Sequence, residues 1–437
     1  MSLLRFSSIA ANMIIRTMVT TAFVFLALAL SAGTADAEPG LQADRLFWKG
    51  EFGQAAKAYR RILAKNPMDP TAALRLGQIA MLENRWNDAQ KRLTVAARLV
   101  PANTLAQDNE PKRLLAELYY RELQFQKAAP LFREVGSDGM ARKLESFAGA
   151  PPYQHESLAQ PVRVPFVQTD PLPLIEVRVN GGKPLFFLID TGAGEIIVDD
   201  ALAKEVGISS LGSSTGRFAG DKRSTYEHGR LDSLTLGGLT VKNIPVWIQS
   251  TRRYAAVAPG KKVDGILGTV FLYEFLSTLD YEKGQLTLRP RNEHRRAKAF
   301  KNEIPIPFWL DKDHLMIAFG SVNSSPPMLM LVDTGLAGGG ITVPASTLQA
   351  AGIKLSEEST SGIGAGGAVQ VQPFEADKVS LGRIVRNNVD GIFGAFPSSL
   401  EDGEGFHIGG LISHQFFRPS SITFDFDRME LRIPREP

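Results

Sequence analysis

The chain has 437 residues, enough for two or three domains, and its 44% hydrophobic and 22% charged residues are ordinary for a soluble globular protein with a sizeable core. A formal charge of +3, from 49 basic and 46 acidic residues, exerts no strong pull toward nucleic acid or anionic membrane. With no cysteine, disulfides, thiol nucleophiles, cysteine-ligated zinc and a lipidated N-terminal cysteine are all excluded.

The N-terminus reads as an export signal. Arg5 and Arg16 precede the apolar run Met18 to Leu30, and the small-residue site Ala35-Asp36-Ala37 follows. Cleavage after Ala37 is expected, with a periplasmic or secreted mature protein. Thirteen strongly apolar residues fall short of the stretch of about 20 that a spanning helix needs, so no stable membrane span is expected after cleavage.

Residues 41–147 show helical periodicity, and the pattern repeats. Gly50 to Pro67 superposes on Asn84 to Pro101 at a 34-residue offset, pairing Phe52 with Trp86, Ala55 with Ala89, Tyr59 with Leu93 and Pro67 with Pro101. A looser third copy spans Leu123 to Gly136 after an insertion near Asn103 to Pro111. Alanines alternating with large apolar residues let antiparallel helices approach closely, and a proline ends each pair. The pattern resembles the tetratricopeptide repeat. Such hairpins imply either a concave surface for a protein partner or a spacer packed against the rest of the chain. Prolines and polar residues then break the periodicity over 148–165, read as a linker.

Beyond the linker the chain alternates short Val-, Leu- and Ile-rich segments with glycines, an all-β pattern. It is duplicated: Asp190 maps to Asp333 at an offset of 143, Gly268 to Gly410 at 142, Leu236-Gly237 to Leu381-Gly382 and Asp280 to Asp425 at 145. Two homologous lobes are expected, over 166–290 and 304–437, joined by a basic linker over 291–303. Each carries a strand running into Asp-Thr-Gly, a short helix (Val198 to Ile208, Val343 to Ile353), a glycine-rich hairpin, a buried apolar run ending in glycine, and a closing hairpin.

With the motif doubled and in order, the lobes resemble aspartic proteases: Asp-Thr-Gly-Ala and Ile266-Leu267-Gly268 are similar to the retropepsin-like bacterial branch, while two lobes in one chain resemble the pepsin architecture. The resemblance implies a multidomain protein, an all-α tetratricopeptide-like part followed by an all-β bilobal acid-protease fold. It implies an endopeptidase whose catalytic pair is Asp190 and Asp333, sharing one proton to activate water on a polypeptide substrate. At about 4 Å and an effective dielectric near 20, two like charges repel by about 4 kcal/mol, so the pair titrates in two separated steps. By the same resemblance Thr191 and Thr334 bond across the lobe interface, Gly192 and Gly335 permit the tight turns, and Ala193, Gly268 and Gly410 support the loops, with Ile266, Leu267 and Ile408 behind. Lobe 2 departs from the pattern at Leu336, where a small residue is expected, and in two extra residues before its helix.

Flap candidates are Gly216 to Arg230 and Gly362 to Phe374, each equally readable as an ordinary surface hairpin, with Tyr226 facing solvent. Gly362 to Gly367 spells a dinucleotide-type glycine pattern, but an alternating strand follows where a helix should open. The six histidines show no metal-ligand spacing. No cofactor and no metal are therefore expected, and a monomer suffices because one chain supplies both aspartates. Two rival readings exist. One is an actin-like ATPase, opposed by the export signal and the scarcity of helix in lobes of this length. The other is a noncatalytic module that binds extended peptides while the repeats recruit a partner.

Overall fold

The computed structural model describes residues 39–101, 104–156, 158–291 and 302–435; the stretch 1–37 expected to be an export signal and most of the basic linker lie outside the described residues. The described residues open with seven α-helices, α1 (Pro39–Trp48), α2 (Phe52–Lys65), α3 (Pro70–Leu82), α4 (Trp86–Leu99), α5 (Glu110–Arg121), α6 (Phe125–Glu134) and α7 (Asp138–Glu145). Their starts follow the repeat, since α2, α4 and α6 open on Phe52, Trp86 and Phe125. Ala55, Ala89 and Ala128, one in each of these helices, are fully buried. Close approach is sterically required: a Cβ on Gly77 of α3 would lie 2.8 Å from Leu93 Cδ2 of α4. Asp69 caps α3 by accepting from Ala72 N at 2.8 Å, with Pro70 in the first helical position.

The helices are not a free-standing appendage. Phe47, Phe52 and Leu76 share one hydrophobic cluster with Leu315, Leu331 and Phe406 of lobe 2, and the Phe52 and Phe406 rings meet edge to face at 5.4 Å. The first helix of each pair also reaches the lobes through polar groups. Gln78 of α3 donates to Glu404 O at 3.0 Å, and Arg121 of α5 donates to the carbonyls of Leu310 and Asp311. Between the two readings of the repeats, these contacts describe the packed one.

The span read as a linker is partly built into lobe 1. Tyr153 is buried and its N donates to Asn243 O at 3.0 Å, and the first strand begins at Val162, pairing with Leu288. Alternation at Val162, Val164 and Phe166 carries a strand signal that the neighbouring prolines mask. The basic stretch also starts inside the fold, because Arg291 stacks on the Tyr273 ring and pairs with Asp427 at 2.6 Å.

Both lobes share one strand plan. In lobe 1 the order runs Leu174–Val179, Pro184–Ile189, Gly265–Leu267, Ile196–Val198, Leu239–Ile248, Lys222–Leu236, Ser213–Phe218; in lobe 2 it runs Met316–Val322, Met328–Asp333, Ile408–Ser413, Ile341–Thr342, Ile384–Phe393, Gly367–Leu381, Thr360–Gly364. Each sheet closes on itself, by Arg178 opposite Thr235 in lobe 1 and Ser321 opposite Ser380 in lobe 2. The strands leading to the aspartates run parallel to Gly265–Leu267 and Ile408–Ser413 and are apolar almost throughout, as expected for strands covered on both faces.

Six further strands, three from each lobe, form a sheet that joins the lobes: Val162–Gln168, Gln285–Pro290, Phe275–Asp280, then Ser421–Asp425, Glu430–Pro434, Glu303–Pro307. At its centre Thr278 pairs with Thr423 and their hydroxyls lie 2.7 Å apart. These residues are each other's duplicates, at the 145-residue offset of the flanking repeat. The pseudo-twofold axis therefore passes between them. Among the described residues no helix is long and apolar enough to cross a membrane.

Candidate active site

The same axis passes through a second self-equivalent pair. Thr191 N donates to Thr334 Oγ1 at 3.0 Å, and Thr334 N returns the bond to Thr191 Oγ1 at 3.0 Å. Each hydroxyl then donates to the strand behind the opposite loop, Thr191 Oγ1 to Val332 O at 2.8 Å and Thr334 Oγ1 to Ile189 O at 3.2 Å. Both threonines are fully buried, so four backbone and side-chain donors are satisfied without water. The network fixes the two Asp-Thr-Gly loops against each other.

Asp190 and Asp333 stand one residue before these threonines, half-buried at the lobe boundary, with their carboxyl groups hydrogen-bonded to each other. Each also accepts from the glycine two residues on, Gly192 N to Asp190 Oδ1 at 2.7 Å and Gly335 N to Asp333 Oδ1 at 2.9 Å. The glycines are required by close approach: a Cβ on Gly192 would lie 2.6 Å from the Asp333 carboxyl carbon, and one on Gly335 would overlap the Asp190 carboxylate.

The two carboxyls are electrostatically unlike. Burial raises Asp190, while bonds from Asp333 and from the Gly192, Ala193 and Gly335 amides pull it back down. Burial, then the Asp190 charge, push Asp333 well above the usual carboxylate range. Both carboxyls are thus raised, Asp333 the more strongly, and as a coupled pair they titrate in separated steps.

The supporting residues differ between lobes. Gly268 caps the helix Thr269–Tyr273, and a Cβ there would collide with the carbonyls of Ala193, Gly194 and Glu195. Thr269 and Val270 donate backbone bonds to Ala193 O and Gly194 O at 2.9 and 2.8 Å. Ala193 itself is buried beside Ile197 and Ile266. In lobe 2 the expected equivalent, Gly410, does not occupy this position. Ile189 pairs with Leu267 and its duplicate Val332 pairs with Ile412, so the residue matching Gly268 is Ser413, which caps the helix His414–Phe417. Gly410 lies three residues earlier, opposite Met330, just beyond an irregularity in the strand pairing that follows Leu329. The two extra residues in the lobe 2 loop explain the difference, since they move everything after the Asp-Thr-Gly from an offset of 143 to 145.

Leu336 is accommodated. Its side chain packs with Ala219, Val369, Val371, Ile392 and Ala395 beneath the hairpins. Both candidate flap segments are long hairpins whose tips meet across the lobes. Gly220 N donates to Ala395 O at 3.1 Å, Ser398 N to Asp221 Oδ1 at 2.9 Å and Arg253 to Ala365 O at 2.9 Å. Tyr226, read as solvent-facing, is instead half-buried and stacked on Trp247 at 4.3 Å, because alternation places both rings on one face of the paired strands. Tyr254, unremarked in the sequence, lies near the aspartates. Burial and then the Asp190 charge raise its phenol, and it packs with Ala193 and Ala337. Its segment, Arg252–Val257, is an irregular 3-10 turn with no motif to announce it. Among the described residues no group of three or more acidic or histidine side chains is placed to hold a metal ion.

Two closed β lobes presenting twofold-related Asp-Thr-Gly loops at one boundary define an acid-protease fold. A family model described as aspartyl protease matches the chain twice, over residues 175–271 and 319–409. No curated protein matches the chain. Among solved structures, a retropepsin-like aspartic protease from Rickettsia conorii covers 31% of this chain and 94% of its own at 20% identity and a TM-score of 0.22. Conglutin gamma, a basic 7S globulin from lupine seeds, covers 63% of this chain and 95% of its own at 10% identity and a TM-score of 0.38. The aspartyl protease model thus falls once on each lobe, and each match includes that lobe's Asp-Thr-Gly loop.

Proposed function

We propose that the protein is an aspartic endopeptidase that hydrolyses polypeptides with water activated between Asp190 and Asp333. The observation that carries this reading is the direct bond between the two carboxyls, held in register by the reciprocal threonine bonds. Asp190, the ionised member, takes a proton from water as it attacks the peptide carbonyl. Asp333, the protonated member, donates to the carbonyl oxygen. The tetrahedral diol then collapses: Asp190 passes the proton it took from water to the amide nitrogen, a diol hydroxyl returns one to Asp333, and the C–N bond breaks to release the amine and the carboxylic acid. Hydrogen bonds from Gly192 N and Gly335 N hold the carboxyls in place through both steps.

The test is cleavage of a diverse peptide library across the acid to neutral range, read by mass spectrometry. The parent protein is expected to cut, and Asp190→Asn and Asp333→Asn to lose the activity. A parent that cuts nothing, or an Asp190→Asn variant that cuts normally, overturns the reading. The second reading, a noncatalytic peptide-binding module, draws support from Leu336, whose side chain joins the apolar cluster under the hairpins. It requires that parent and Asp190→Asn bind extended peptides alike and cleave none.

We further propose that the mature protein starts after Ala37 and acts outside the cytoplasm as a monomer, any partner of the repeats being held on a face turned away from the lobes. N-terminal sequencing of the exported protein checks the first point. Specific activity that stays constant on dilution checks the monomer.

A further inference from the structure

Glu195 closes the loop that begins at Asp190 and is 3% exposed, and among the described residues no cation from its own lobe pairs with it. Its partners come from the helical repeats. Lys143 of α7, 0% exposed, donates to both carboxylate oxygens at 2.6 and 2.8 Å, and Tyr120 of α5 donates to Oε1 at 2.6 Å. The same short stretch is held from the other side, since the Gly194 Cα faces Asp313 O of lobe 2 so closely that a Cβ would lie 2.9 Å from it. It is also fixed from below by the Thr269 and Val270 amides. Lobe 2 has nothing comparable. The position matching Glu195 is Gly340, whose carbonyl accepts from Ser413 N at 2.9 Å.

We infer that Lys143 and Tyr120 are positioning residues for Asp190, so that the helical repeats are an integral part of the catalytic apparatus, fixing the first loop through Glu195; this rests on the hydrolase reading above. The reasoning is mechanical. Four residues separate Asp190 from Glu195, two of them glycines, and such a stretch transmits position only if both ends are held. One end is held by the Thr191–Thr334 bonds and the other by the Lys143–Glu195 pair. Loss of Lys143 leaves a buried carboxylate uncompensated, which relaxes toward solvent and draws the loop with it.

The experiment compares the full-length parent with Lys143→Met, Tyr120→Phe and the double variant Lys143→Met/Glu195→Met, which removes both charges and preserves bulk. Steady-state kinetics are measured together with titration of the aspartate pair by NMR of labelled carboxyl carbons, which needs no substrate. Lys143→Met is expected to lower kcat on the order of 100-fold, the effect of about 1 Å of misplacement at reacting groups, with KM little changed. The double variant is expected to recover the parental melting temperature yet keep the low kcat, and the two apparent pKa values of the aspartate pair are expected to draw together. Tyr120→Phe should move in the same direction by less. If Lys143→Met does not fold, the double variant decides. A folded double variant with parental kcat and parental separation of the pair overturns the inference and leaves Lys143 a purely structural bridge. If the parent cleaves no peptide but the separation still collapses in the variants, positioning holds and the hydrolase reading falls.

Discussion

At the scale of single residues the duplicated loops set up a direct comparison between Gly268 and Ser413, which occupy the same place in the two lobes. Gly268→Ala should abolish folding or activity, because the added methyl meets three carbonyls rather than movable side chains. Ser413→Gly should cost only a few tenths of a kcal/mol, the usual penalty for exchanging a helix-capping serine for glycine, here the cap on Gln415 N. Chemical denaturation of both variants distinguishes them, and equal losses would contradict the assignment. Why the sequence pointed to Gly410 instead is plain in retrospect. A glycine motif was matched by letter, whereas the constant offset of 145 at Leu236-Gly237 and Asp280 already led from Gly268 to Ser413. The aspartates, threonines and their glycines were legible because steric need leaves few residue choices there. Tyr254 was not, since a residue that enters a site from an irregular turn leaves no periodic trace. His414, at the position of Thr269, supplies a pH prediction. Its ring is buried and bonded to Pro171 O at 2.9 Å, and burial holds its pKa down to about 4 from 6.5, with Arg418 adding to the effect and Asp170 opposing it. Neutral in the fold, it contributes stability that is full above about 6.5 and is lost as pH falls toward about 4. His414→Gln should therefore flatten the dependence of melting temperature on pH in that window; an unchanged slope would count against it.

At the scale of elements, the hairpins Ser213–Phe218/Lys222–Leu236 and Thr360–Gly364/Gly367–Leu381 are the parts most easily read from alternation and glycine content. What the sequence withheld is that their tips are latched to the opposite lobe. Gly220 approaches Val369 so closely that a Cβ would overlap its side chain, and Asp221 accepts from Ser398 N. On the proposed endopeptidase reading, a polypeptide would enter as these contacts separate. Asp221→Ala removes one latch and should speed hydrogen exchange of the amides near Phe218 and Lys222, measured by mass spectrometry on the intact protein. Exchange as slow as in the parent would mean that the latch carries no weight. Long-range contacts of this kind have no local signature, because the residues that form them are ordinary at their own positions.

For the whole molecule, the order of parts was legible: helices first, then a duplicated β region. Their association was not, because the apolar face of a helical hairpin looks the same whether it stacks on another hairpin or on a lobe. Phe406, Leu315 and Leu331 are covered by Phe47, Phe52 and Leu76, so a protein starting at the linker would expose them. Such a truncation is expected to yield aggregated protein on expression, with soluble yield and size-exclusion profile as the measurement; a soluble, active truncation would show the lobes to be autonomous. The pseudo-twofold axis through Thr191/Thr334 and Thr278/Thr423 has a last implication. In a true homodimer every change appears on both sides, and an elongated guest can lie either way round. Here Glu195 has Gly340 as its counterpart, and Lys143 and Tyr120 of the helical repeats bond to the former. The boundary consequently has a left and a right, and a polypeptide bound there as proposed would meet unlike ends, its direction from amino to carboxyl terminus set by which lobe comes first in the chain.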